Sequence, residues 1–462
     1  MSSAGISFGG LASGLDTKAI IAALMGVEQQ PINALQFRKT SLSTQKSLFG
    51  DLGTLLASLQ TAANSLKLTT DFLAMKAASD NENVLTASAS NSAVQGSHQI
   101  EVLDLAQAQV NSSNGRADHD VTQYQGTINI SYGGNDHLIN IPATPGGSTT
   151  LDGVAAAINN TADLDVVASV VNTGNATNPY QLVLRSSSTG SAGQFDVALE
   201  TESGGGELTA LVNDLHTNIR TPAKDAHILL NGIDIFRSSN TIADAIPGVT
   251  LNLKSKTAAN TPVTVTVSTD TEATTQKVQT FIDAYNKVVD FVKKQNELDA
   301  TGHAKNLLFG DMTLQSIRNS LRSAVGAVVD SGNAAYSMFA QLGINSDRDG
   351  KLTLDSAKFS AALAADPDAV GQVFAKSGTG IAAKLYTQIG LYTDSVDGLL
   401  KARSDGFDTL IKDTQNQIDQ GTRRLDQFQK ALEQKYANLE SLLAKLQGQG
   451  SALGSFTAPR SG

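Results

Sequence analysis

The feature that most constrains this chain is a row of apolar residues near its end. Ile411, Ile418, Leu425, Leu432, Leu439 and Leu446 recur every seventh residue, with Phe407, Phe428 and Leu442 on the interleaved positions. A sevenfold apolar repeat is the pattern of an α-helix whose stripe faces another helix. A helix over this stretch would run about 60 Å at roughly 1.5 Å per residue. Three interleaved positions fit poorly: Thr414, Gly421 and Lys435. Gly421 alone costs about 1 kcal/mol relative to Ala. The start of the chain carries a matching row. Leu35, Leu42, Phe49 and Leu56 stand seven apart, with Leu52, Leu59 and Leu66 on the second stripe of the seam. Before it, Asp16 suits an N-cap for a helix carrying Ile20, Ile21, Leu24 and Val27, and Pro31 is expected to kink or restart that helix. A lone amphipathic helix is marginal in water, so both ends should order only against a partner. The two seams imply that the termini pair, within one chain or between copies. The alternative is an ordinary long amphipathic helix packed on its own domain.

Between the seams the texture is β-rich. Thr127 to Tyr132 alternates, Gly133-Gly134-Asn135-Asp136 supplies a turn, and Leu138 to Ile141 returns as a hairpin. Leu151, Val154 and Ile158 suggest one short helix, and strands fit Val166 to Val171 and Tyr180 to Arg185. Asn231-Gly232 between Ile228–Leu230 and Ile233–Phe236 favours a type I′ hairpin turn. Val263, Val265 and Val267 alternate with Thr in a half-buried strand, and Ser203-Gly204-Gly205-Gly206 reads as a flexible joint. Helix resumes near Glu272 with a stripe from Val278 to Val292. A second helix capped by Asp311 places Leu314, Ile317, Leu321 and Val328 on one face. Asp355 and Asp366 cap two more, with Pro367 at a first helical position, where Pro is tolerated. The expected class is α+β, with terminal coiled-coil or helix-bundle segments flanking two β-rich lobes. The expected divisions are an N-terminal helical leg (1–75), a β lobe from 76–110 with 222–270, a β lobe inserted into it (111–221), a helical domain (271–400) and a C-terminal heptad leg (401–462).

Composition removes several functions. The net charge of -10 opposes nucleic-acid binding, which needs a basic face. With no Cys there are no disulfides, thiol nucleophiles or thiolate metal sites. The first basic residue is Lys18, and no basic start followed by an apolar run marks a cleaved leader. No segment is long enough to span a membrane. The six His show no ligand spacing. Asp118-His119-Asp120 reads as a solvated loop, and Asn345, Asp347, Asp349 and Gly350 imitate a calcium loop but lack its closing Glu. Gly378, Gly380 and Ala383 follow a helix rather than the strand a dinucleotide site requires. No catalytic, cofactor or metal residue is assigned. An assembly role is expected instead, carried by Leu35, Leu42, Phe49, Leu56, Ile411, Ile418, Leu425, Phe428, Leu432, Leu439 and Leu446.

Several stretches together resemble the flagellar filament cap family, hook-associated protein 2. They are Phe8-Gly9-Gly10-Leu11-Ala12-Ser13-Gly14-Leu15-Asp16, Gly96 to Val102, Arg237 to Leu251, and Asp349-Gly350-Lys351-Leu352-Thr353-Leu354-Asp355 leading to Asp366-Pro367 and Phe374. The block from Gly126 to Val197, with Leu151-Asp152-Gly153-Val154, is similar to an insertion of flagellins and hook proteins. The resemblance implies a non-enzymatic protein without cofactors, secreted without a cleaved leader by the flagellar export apparatus. It implies a place at the extracellular tip of the flagellum, where a small ring of copies, a pentamer or similar, retains arriving flagellin and promotes its polymerisation. Expected partners are other copies, flagellin and a flagellar export chaperone, with no nucleic acid and no membrane insertion. The alternatives are another axial component at the hook–filament junction and a tip adhesin whose β lobes bind host glycans or mucin.

Overall fold

The first helix begins where its cap stands: Asp16 Oδ1 accepts a hydrogen bond from Ala19 N at 2.9 Å. It then runs without a break over Thr17–Asn64. Pro31 lies inside it, so the expected restart does not occur. Pro removes one intrahelical hydrogen bond. Here Val27, whose carbonyl loses that bond, and Pro31 are both exposed, so water can serve the freed group. The computed structural model describes residues 16–141, 149–203 and 205–457, with side chains to 451. The motif Phe8–Leu15 lies outside the described residues. The chain divides into two units: residues up to Phe72 together with those from Thr275 onward, and Leu73–Thr274.

The helical unit is built on Thr17–Asn64 and the C-terminal helix Leu399–Thr457. Behind them pack Met312–Val325, Ser356–Ala365, Pro367–Ala375, Ile381–Thr393 and most of Thr271–Gln295. The last of these buries Val278, Phe281, Ile282, Tyr285, Val288, Val289 and Val292, the stripe its sequence spacing marks. Burial pushes the Tyr285 hydroxyl up to about 12. Asp311 caps Met312–Val325 through Thr313 N and Leu314 N, and Asp355 and Asp366 cap the next two helices. Met312–Val325 stops one residue before Gly326, so Val328 falls outside it and is exposed, contrary to the sequence expectation. In a chain with few aromatics, five Phe gather in one cluster. Phe374 lies 4.9 Å from Phe72, 4.8 Å from Phe339 and 6.4 Å from Phe359, and Phe281 meets Phe339 at 6.2 Å. The turn Asp347–Gly350 joins Ile344–Ser346 to Leu352–Leu354 as a hairpin. Asn286 pins it by bonding both the N–H and the carbonyl of Leu352.

The β unit holds two cores. One joins a five-stranded antiparallel sheet, in the order Met75–Ser79, Val263–Thr269, Gly96–Asp104, Ala226–Leu230, Ile233–Arg237, to a sheet of Thr241–Ile246, Val249–Leu253 and Leu85–Ala89. The other is formed within the intervening chain. It packs Ile219–Thr221, Val110–Ser112, Tyr180–Ser186 and Val166–Asn172 with Asn135–Ile141, Gly126–Tyr132 and Phe195–Glu202, and adds helices Leu151–Asn159 and Glu207–Thr217. Asn231 and Gly232 take φ of 52° and 84°, as a type I′ turn requires. The other hairpin turns more tightly than expected, on Gly133-Gly134 alone, because both glycines accept positive φ and Asn135 already belongs to the strand. Lys224, and then Lys256, donate to Asp104 and hold its carboxyl down to about 2. Among the described residues no helix is long and apolar enough to cross a membrane.

Candidate assembly interface

The two terminal helices pack on each other inside one chain, antiparallel along their lengths. Phe49 meets Phe407 with ring centroids 5.7 Å apart. Further out, Lys46 Nζ pairs with Asp408 Oδ1 at 2.5 Å, and Lys39 Nζ donates to Gln415 Oε1 at 2.6 Å. Further still, Ile32 lies against Gly421. Each step back along the first helix is a step forward along the last. Arg403 covers the two phenyl rings at 5.6 and 5.2 Å while its Nη2 binds Asp311 Oδ2 at 2.9 Å.

The sequence-marked residues divide along this pair. Phe49, Leu56 and Ile418 are buried; Leu35, Leu42, Ile411, Leu425 and Leu432 are half-buried. Phe428, Leu439 and Leu446 are exposed, at 39%, 42% and 54%. The reason is the helix period. Beyond Leu432 the inward positions are Tyr436, Glu440 and Leu443, not Lys435, Leu439 and Leu446. From Phe407 to Leu443 the buried stripe advances at about 3.6 residues per turn, the value of a straight helix, so it drifts by roughly 20° per heptad off the sevenfold row. Leu439, Leu442 and Leu446 are left as an apolar surface.

Two of the poor heptad positions prove to be contacts. Thr414 is 3% exposed, and its hydroxyl donates to the Leu410 carbonyl at 2.7 Å. A Cβ on Gly421 would stand 3.1 Å from Ile32 Cγ1, so the missing side chain is what lets the helices approach. Beside Gly421 lies a hollow of about 270 Å³ lined by Pro31, Ile32, Leu35, Leu425 and Phe428, with Glu28 and Arg424 at its rim. Sequence reasoning missed this hollow and also the outward ring of Phe37, which is 76% exposed, while Val27, read as part of the apolar row, is 62% exposed. The signals were present: a glycine on the seam, and an aromatic off it.

The loop at Asp118–Asp120 is less free than its composition suggests. His119 Nδ1 bonds Asp152 Oδ2 at 2.5 Å and stands 3.4 Å from Asp120, and its ring lies 4.4 Å from that of Tyr180. The Asp152 hydrogen bond raises the His119 pKa above its ordinary value. These three residues could hold a metal ion, but Asp120 and Asp152 are exposed, and a proton on His119 satisfies the same carboxylates. The arrangement is a surface hydrogen bond tying the loop to the first turn of Leu151–Asn159.

Comparison with known proteins adds the following. A family profile described as flagellar hook-associated protein 2 N-terminus matches residues 13–109, and one described as flagellar hook-associated protein 2 C-terminus matches 223–448. Between them, the flagellin hook IN motif matches 127–188. The B-type flagellar hook-associated protein 2 of Pseudomonas aeruginosa is 29% identical over 462 residues, covering 96% of this chain and 94% of the relative. Flagellar hook-associated protein 2 of Escherichia coli is 28% identical over 468 residues, covering 97% of each. The crystal structure of the D1-D2-D3 domains of the flagellar cap protein FliD from Escherichia coli aligns with a TM-score of 0.62 at 29% identity, over 78% of this chain and 99% of that one.

Proposed function

The chain belongs to the flagellar hook-associated protein 2 family, and from that premise we propose that it caps the distal end of the bacterial flagellar filament. One observation carries the reading. The N-terminal profile, the IN motif and the C-terminal profile follow in order along one chain, and 78% of that chain aligns with the D1-D2-D3 domains of a flagellar cap protein.

In this reading the protein is structural, not catalytic. A small ring of copies retains arriving flagellin and promotes its addition. The protein leaves the cell through the flagellar export apparatus, escorted by a chaperone, to an extracellular site. The buried seam residues, Phe49, Leu56 and Ile418 among them, join the terminal helices into one leg. The apolar residues outside the seam, Leu439, Leu442 and Leu446, offer contact area to neighbouring copies or to the filament. Exposed apolar area of this kind is costly unless a partner covers it.

Electron micrographs and culture supernatants of a strain lacking the gene test the proposal. The expected result is hooks without filaments and monomeric flagellin in the medium. Full-length filaments on a strain that swims normally would refute a capping role and favour an adhesin.

A further inference from the structure

We propose that the exposed ring of Phe37 in one copy seats in the hollow beside Gly421 of the next copy. The inference rests on the reading that the protein assembles with itself, and it names the contact. The hollow lies beside the close approach at Gly421; Pro31, Ile32 and Leu35 wall it on one side and Leu425 and Phe428 on the other, around about 270 Å³. Phe37 is 76% exposed on the same N-terminal helix. It lies five residues past Ile32, a rotation of roughly 140° about the helix axis, so it points away from its own hollow.

Charge favours a second copy as the occupant. Arg38 follows Phe37 directly; of the two charged residues on the rim of the hollow, Glu28 stands on the N-terminal helix and Arg424 on the C-terminal one. Among the described residues neither Glu28 nor Arg38 has an ion-pair partner in its own chain. Seating Phe37 from a neighbour brings that neighbour's Arg38 towards Glu28. Phe and Arg are both enriched in protein interfaces relative to the rest of the surface. A knob and a hole at different places on one surface make a head-to-tail contact, which repeats from copy to copy and forms a ring where the rotation closes, whereas a self-complementary patch stops at two.

The absence of Cys makes a clean test available. Positions 28 and 38 lie ten residues apart on one helix, about 15 Å along its axis. A disulfide needs Cα atoms within about 7 Å, so one between these positions forms only between copies. The full-length chain carrying both Glu28→Cys and Arg38→Cys, with Phe37 and Phe428 in place, should give, on mild oxidation, a ladder of covalent dimers, trimers and higher species that collapses on reduction. Each single substitution should give little dimer and nothing larger. Phe37→Asp should weaken self-association at least tenfold by sedimentation, with an unchanged circular dichroism spectrum. If light scattering shows assembly but the double variant gives no ladder, the Phe37 contact is wrong and the assembly reading stands. Strong dimerisation of the Arg38→Cys chain alone would mean that knob meets knob, which also overturns the contact. A protein that stays monomeric at every concentration removes the assembly reading, and this contact with it.

Discussion

At Gly421 two residue-level effects oppose each other. Glycine inside a helix costs about 1 kcal/mol relative to alanine, so propensity alone favours replacement. Yet a Cβ there would stand 3.1 Å from Ile32 Cγ1, and Ile32 is itself buried. Gly421→Ala should therefore be close to neutral in urea unfolding, because a small shift of Ile32 absorbs the contact while the helix gains. Gly421→Leu exceeds what the seam can absorb and should lower stability by about 1–3 kcal/mol, the usual cost of overpacking. A leucine variant as stable as the parent chain would mean that the helices do not approach at this point. Pro31 teaches the complementary lesson. Its local rule, that proline breaks helices, loses to packing of the flanking turns, where Ile32 is buried on one side and water serves the other.

At the scale of elements, legibility follows the range of the signal. The Asn231-Gly232 hairpin and the caps Asp16, Asp311, Asp355 and Asp366 depend on a few adjacent residues, and each stands where the sequence places it. The sevenfold row was readable from Ile411 to Leu432, although Phe428 on the interleaved row already lies outside the contact, and it was lost beyond, because the difference between 3.5 and 3.6 residues per turn accumulates only over a long straight helix. Glu207–Thr217 was not read at all. Its buried row Leu208, Leu211, Val212 and Leu215 is short and follows a glycine run that reads as a joint. The hollow at Gly421 was invisible because it depends on which residues of two distant segments come face to face. This drift separates two classes of leucine and isoleucine. Ile418→Ala should cost about 2–4 kcal/mol of unfolding free energy, as expected for a buried aliphatic side chain. Leu446→Ala should stay within about 0.5 kcal/mol, as surface positions do. Equal losses at the two sites would restore the strict sevenfold seam and contradict the straight helix.

At the scale of the molecule, the α+β pattern of helical ends around a β-rich middle was legible because hydrophobic period changes from helical to alternating and back along the chain. The two β cores are separable for the same reason, since each closes its sheets with strands near in sequence or on either side of the other. The family was legible only through several resembling stretches taken together, because assembly surfaces lack the fixed residue spacing that marks an active site. The central claim is that this protein sits at the growing end of the filament. Immunogold labelling of intact flagella, with antibody against the β unit Leu73–Thr274, tests it most directly. The expected image is one cluster of gold at the distal tip of each filament and none elsewhere. Gold at the hook–filament junction, or spread along the filament, would contradict the claim.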